Sequence, residues 1–290
     1  YRRLGYVPAD KHKESLSLTM EYAYDDWAAA RILQFLGYEE EAKVCYKRSH
    51  NYRNLWNASL GYFAPRLSDG SFKKDFNPFA YTDDITESNA YQYLWSAQHE
   101  PDSLIKLMGG REAFAGRLDK FFSDKTPHKI KLPIFSTGMI GQYAHGNEPS
   151  HHVPYLYHYA YKPWKTADYT HQIMRSLYTS SPSGLCGNED CGQMSAWYVA
   201  SAIGLYPEEG ANKFLISSPI VASAIIRLSD KKTFTIKANN LSLKNKYIKS
   251  VKLNGKPWNK ASLDIKDIQA GGVLELEMTN TPGITWYQDL

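Results

Sequence analysis

Residues Glu14–Phe35 read ESLSLTMEYAYDDWAAARILQF, and the spacing inside this stretch decides the architecture. Apolar residues recur at Met20, Tyr24, Trp27, Ala28, Ile32 and Phe35, the i, i+4, i+7 spacing of an amphipathic helix. Gly37 then terminates it. Glu39–Leu55 reads as the antiparallel partner, and a Gly, Pro and Asp loop follows through Gly61, Arg66, Asp69 and Gly70. The unit is a helical hairpin with a long loop at one end. The same reasoning predicts further helices at about 87–98, 101–108, 110–123, 150–160, 163–178 and 192–204.

Beyond Gly204 the period changes from that of a helix to the alternation of strands, at Lys213–Ser217, Ala222–Leu228, Thr233–Ala238, Ile248–Leu253 and Val273–Met278. Asn254-Gly255 and Gly271-Gly272 mark turns between them. The expected fold is therefore mainly α, with a helical body over residues 1–205 and a small antiparallel β appendage over 206–290. Tandem helical hairpins without a repeat of fixed period favour a closed helical toroid over a repeat array.

With 290 residues, 43% hydrophobic and 22% charged, the chain can bury a sizeable core. No window reaches eighteen consecutive apolar residues, so no membrane-spanning helix is predicted. Twelve Lys and Arg against eight Asp and Glu between Pro207 and Leu290 account for the whole net charge of +4. These lysines are scattered rather than blocked together, which argues against nucleic-acid binding. Cys45, Cys186 and Cys191 make neither a disulfide framework nor a four-thiolate zinc site, and one Cys186–Cys191 bridge is conceivable. The start at Tyr1, without an initiator Met or an apolar signal core, reads as a processed or trimmed polypeptide. Aromatics are abundant: 22 Tyr, 11 Phe and 7 Trp. Interspersed with Asp, Glu, Asn and His, they suit either a sugar cleft, where rings stack on pyranose faces, or an aromatic-rich core.

Three loops could carry chemistry. In Thr82–Trp95, a helix beginning near Ile85 would place Glu87, Tyr91 and Trp95 on one stripe. The rings would desolvate the Glu87 carboxyl and raise its pKa, as a general acid requires, although Asp84 and Glu87 also fit a capping box. In Gly184–Tyr198, an acidic pair sits in a glycine-punctuated loop opening onto a helix, where the dipole keeps a carboxylate ionised and competent as a base. Asp190 with Gln193 equally fits a cap. In His145–Tyr155, Pro149 and Pro154 break the helix that zinc-binding histidines need, whereas Asn147 and Glu148 offer hard oxygen donors suited to calcium. Glu21 and Asp25 add a supporting pair, because like charges at i, i+4 repel unless a cation, sugar hydroxyls or solvent relieves them.

Taken together, EYAYDDW, TESNAYQY, GNEPSHHVPYLY and GNEDCGQMSAWY resemble glycoside hydrolase family 92, the calcium-dependent exo-acting α-mannosidases. The resemblance runs from about Glu14 to Tyr206, and the terminal β segment is similar as well. It implies an (α/α)6 toroid whose full form also has earlier toroid helices and an N-terminal β-sandwich domain, neither within these residues. It further implies removal of terminal α-linked mannose, of the α-1,2 type, with inversion. Glu87 would be the general acid and Asp190 the base, their carboxyls roughly 6.5–9.5 Å apart to admit a water. Related members often have a second Asp where this chain has Asn188, leaving Asp190 alone as base or assisted by Glu189. Glu21, Asp25, Asp26, Trp27, Tyr91, Trp95, His145, His151, His152, Asn188 and Trp197 are the implied sugar-binding residues, and Asn147 and Glu148 the implied calcium ligands. Partners follow: a mannose-containing glycan and the remaining part of the same polypeptide, in the periplasm, at the cell surface or secreted. The competing classes are a non-catalytic carbohydrate-binding module and another toroid enzyme such as a polysaccharide lyase.

Overall fold

In a computed structural model, which describes residues 1–126, 131–208 and 210–290, the opening helix α1 runs Ser15–Phe35 and ends at left-handed Gly37. Its partner α2 covers Glu39–Arg48, and a 3-10 turn, Asn51–Leu55, completes the segment. The buried face of α1 differs from the expected stripe. It consists of Ser15, Leu16, Ser17, Thr19, Met20, Ala23, Asp26 and Ala30, while Ile32 and Phe35 are exposed. Ala30 of α1 and Ala42 of α2 are both buried where the two helices meet.

The chain divides into two compact units, Tyr1–Ser150 and His151–Leu290. In the first, the two-residue hairpin β1 (Trp56–Asn57) and β2 (Tyr62–Phe63) precedes α3 (Pro101–Leu107) and α4 (Arg111–Ser123). The expected helix at 87–98 is absent: only a 3-10 turn forms, Tyr93–Trp95. The cause is competition for backbone groups. The Asp83 and Asp84 carbonyls accept from the Glu14 and Leu16 amides, and the Thr86 amide donates to Ser17 Oγ at 2.8 Å. Bonds spent on the start of α1 cannot close helical turns. Tyr91 and Trp95 are nevertheless buried, packed against Phe121, with Trp95 also on Phe114. A second short hairpin, β3 (Met139–Ile140) and β4 (Tyr143–Ala144), turns at Gly141. A Cβ there would lie 2.4 Å from the Phe121 carbonyl oxygen, so only glycine lets this loop rest on the end of α4.

The second unit begins with Val153–His158, a wholly buried 3-10 segment where an α-helix over 150–160 was expected. Pro154 contributes no N–H, and Tyr155 N bonds three residues back to His152 O. Helices α5 (Pro163–Ser176) and α6 (Gln193–Ile203) follow, and α6 passes through Gly204 into strand β5 (Leu205–Glu208). Gly204 is left-handed, and a Cβ would stand 2.7 Å from the Ser217 carbonyl oxygen.

Strands β6 (Lys213–Ile216) and β7 (Ser223–Arg227) come next, then β8 (Thr233–Asn239), β9 (Tyr247–Leu253) and β10 (Lys256–Pro257). β11 (Ser262–Asp264), the short helix α7 (Ile265–Gln269) and β12 (Gly272–Thr279) complete the unit. They form a three-stranded sheet, β11-β6-β5, and a five-stranded sheet, β10-β9-β12-β8-β7. Pairing is antiparallel except where β12 inserts beside β8 in parallel. Phe234, Ile236, Leu274, Leu276 and Met278 alternate inward, as period two requires. A register shift between Glu277 and Met278 leaves Lys249 of β9 unopposed, which lets Ile248 and Val251, three apart, face the same core. Among the described residues no helix is long and apolar enough to cross a membrane.

Candidate functional site

Glu87 sits in a run of bends, exposed and in the left-handed conformation at φ 55°. The aromatic stripe expected to desolvate it does not form, because Tyr91 and Trp95 turn into the core without it. Nor does the capping box: Asp84 instead accepts from Lys73 Nζ at 2.7 Å and Thr82 Oγ1 at 3.1 Å. The reciprocal pair lies one turn later, where Gln92 N donates to Asn89 Oδ1 (2.9 Å) and Asn89 N to Gln92 Oε1 (3.2 Å).

Asn147 meets Glu87 directly: its Nδ2 donates to Glu87 Oε2 at 3.3 Å across sixty residues of sequence. Backbone bonds from Asn147 N to Ala144 O and from Ser150 N to Asn147 O shape this turn, and Ser150 Oγ donates to both carbonyls. Glu148 follows in the 3-10 turn Glu148–Ser150, half-buried. His145 is fully buried, with Nδ1 hydrogen-bonded to the Tyr143 hydroxyl at 2.7 Å. Among the described residues no three His, Cys, Asp or Glu side chains gather as a metal-ligating group. The loop's offering to a cation is therefore amide and carboxylate oxygen.

On α1, Glu21 and Asp25 are exposed, and the Tyr93 hydroxyl donates to Glu21 Oε1 at 3.4 Å. Burial, aided by the charges of Glu21 and Glu87, holds the Tyr93 hydroxyl above the usual phenol range, so it stays protonated as a donor. Sequence reasoning missed Tyr93, since the helical reading put Tyr91 and Trp95 on the stripe of Glu87. Asp26 is buried and its carboxylate is taken up by Arg48 and the Tyr1 hydroxyl. Trp27 stacks on Tyr24, with Arg31 over its face at 5.3 Å.

In the second unit, the His151 and Asp190 loops come together. His151 and His152 are buried; His151 Nδ1 shares a hydrogen bond with Gln193 Nε2 (3.2 Å), and its carbonyl accepts from Trp197 Nε1 (3.0 Å). Trp197 is buried and stacked on Tyr178. Asn188 and Asp190 are exposed, and Asp190 makes no side-chain hydrogen bond among the described residues. The helix cap that was one of two roles open to Asp190 does not form: Gly192 is the N-cap residue of α6, and the Glu189 carboxylate instead accepts from Ser195 N (3.2 Å) and Ser195 Oγ (3.0 Å). Cys186 and Cys191 are free thiols, the first pushed up to about 11 by burial.

These loops belong to a glycosidase catalytic domain: the family model described as the glycosyl hydrolase family 92 catalytic domain matches residues 1–280. The chain belongs to glycosyl hydrolase family 92. It is similar to a family 92 α-mannosidase from Bacteroides thetaiotaomicron solved with mannoimidazole, at 38% identity and a TM-score of 0.92, covering 98% of this chain and 38% of that one. An inverting mannosidase of the same family from Bacteroides thetaiotaomicron VPI-5482 is 35% identical with a TM-score of 0.87, over 97% of this chain and 40% of its own. A protein of Arthroderma benhamiae described as an uncharacterized secreted glycosidase is 29% identical over 319 residues, covering 96% of this chain and 38% of that protein. The chain thus spans about two fifths of the length of these relatives.

Proposed function

We propose that the polypeptide carrying these residues removes terminal α-linked mannose, of the α-1,2 type, from glycans with inversion at the anomeric carbon. Family membership supports this, as do one neighbour solved with mannoimidazole and another named an inverting mannosidase. The observation that carries it is the Asn147–Glu87 hydrogen bond, which holds the acid candidate against the oxygen-donor loop.

In this reading Glu87 gives its proton to the departing glycosidic oxygen as the bond to the anomeric carbon breaks. Asp190 takes a proton from the water that attacks the opposite face, chemistry for which inverting glycosidases in general hold their two carboxyls roughly 6.5–9.5 Å apart. Exposed Glu21, Asp25 and Asn188 present acceptors to sugar hydroxyls. Tyr91, Trp95, His145, His151, His152 and Trp197 are buried and would support the segments that carry these groups, Trp27 offers a ring face, and Asp26 ties α1 to Arg48.

Calcium suits oxygen donors of this kind: Asn147 Nδ2 donates to Glu87, and the Asn147 amide oxygen and the Glu148 carboxylate would be the ligands for a hard cation. Bound there, calcium would supply positive charge that favours hydroxyl binding and an oxocarbenium-like ring.

We read residues 1–205 as part of an (α/α)6 toroid and 206–290 as its β domain, completed by earlier helices and an N-terminal β-sandwich in a periplasmic, cell-surface or secreted enzyme. These 290 residues alone would have little activity. Mannose release from an α-1,2-linked mannobiose by the full-length polypeptide, lost on chelation, tests the reading; no release removes it.

A further inference from the structure

We propose that Glu189 is a positioning residue for Asp190, clamping the first turn of α6 and so fixing the backbone from which the Asp190 carboxylate projects. The proposal rests on the reading of Asp190 as the general base.

Glu189 holds α6 from two directions. Its side chain accepts from Ser195 N and Ser195 Oγ, and its own carbonyl accepts from Met194 N at 3.3 Å. Between this clamp and the helix lie three consecutive left-handed residues: Asp190 at φ 46°, Cys191 at 57° and Gly192 at 95°. Two of the three carry a Cβ, for which this conformation is strained, so the reversal persists only while its ends are held.

Beyond the clamp, Gln193 N donates to Asp190 O at 3.2 Å, and the Gln193 side chain and Trp197 bind α6 to the His151 segment. Asp190 has no side-chain partner of its own among the described residues, so the backbone alone aims its carboxylate. A catalytic group displaced by about 1 Å can lose about a hundredfold in rate.

A glutamine at 189 separates positioning from chemistry. Its amide oxygen can accept from Ser195 N, and its NH2 can donate to Ser195 Oγ, because a hydroxyl both donates and accepts. The clamp survives while the carboxylate is lost.

The experiment measures kcat and KM on an α-mannoside for the full-length polypeptide carrying Glu189→Gln, Glu189→Ala, Ser195→Ala or Asp190→Asn. Amide exchange at Met194 and Ser195 is followed alongside. Glu189→Gln is expected to stay within about threefold of the parent. Glu189→Ala should lose roughly tenfold to a hundredfold in kcat with KM little changed, and its Ser195 amide should exchange faster. Ser195→Ala should fall between them. A Gln variant as inactive as the Ala variant would make Glu189 a chemical participant and overturn the proposal. Parental kcat in Glu189→Ala despite faster exchange would also overturn it. Full turnover by Asp190→Asn would instead remove the base assignment, with the exchange data still reporting whether the clamp exists.

Discussion

The Glu87→Gln variant removes a transferable proton while keeping the shape of the side chain. Glu87 is exposed, and its hydrogen bond comes from Asn147 Nδ2 at 3.3 Å, which a glutamine carbonyl accepts equally well. Folding stability should therefore change by less than about 0.5 kcal/mol. The chemical effect is separate and large. General acid catalysis contributes about 10²- to 10⁴-fold, which at 1.36 kcal/mol per decade is roughly 3–5 kcal/mol of barrier. That loss should appear in full on a mannobiose, whose sugar alkoxide leaves poorly without a proton. On a dinitrophenyl mannoside the leaving group needs no proton, and the loss should shrink to under about tenfold. Steady-state kinetics of the full-length polypeptide on the two substrates give the ratio. Equal losses on both, or parental turnover of the disaccharide, would remove Glu87 from the acid role.

Gly141→Ala should destabilise the first unit by about 3 kcal/mol, combining a left-handed alanine with overpacking against the Phe121 and Phe122 backbone. A urea midpoint unchanged from the parent would show that the hairpin does not rest on α4. Burial lowers His158 and His171 to about 4, against about 6.5 in an unfolded chain. Because the unfolded state binds protons that the folded state refuses, their contribution is intact above about pH 6.5 and is lost as pH falls toward about 4. Between pH 7 and 5 urea unfolding should report a loss of about 2 kcal/mol per histidine, and His158→Gln should flatten that slope; equal stability at both pH values would contradict the burial argument.

The α1–α2 hairpin, α3 to α6 and the principal strands were legible from their periods, with glycine or proline marking several of the ends, such as Gly37, Pro101, Pro163 and Gly204. Residues 87–98 misled for a physical reason: a helical period is necessary but not sufficient when the backbone groups bond to another element, here the start of α1. The parallel β12–β8 pair was likewise invisible, since alternation marks a strand without naming its neighbour. The motifs singled out Glu87, Asn147 and Asp190 as candidates without the contacts around them. Tyr93 and the Glu189–Ser195 clamp depend on backbone reversals at Glu87 and Asp190, and no spacing rule encodes a non-glycine residue at positive φ.

If this chain supplies the acid and the base of an inverting α-mannosidase, the first sugar released carries the inverted configuration. Proton NMR of the first sugar released from an α-mannoside by the full-length polypeptide tests it most directly. Inversion gives β-mannose at early times, with the α anomer growing in only by mutarotation; α-mannose released first would contradict the assignment of Glu87 and Asp190.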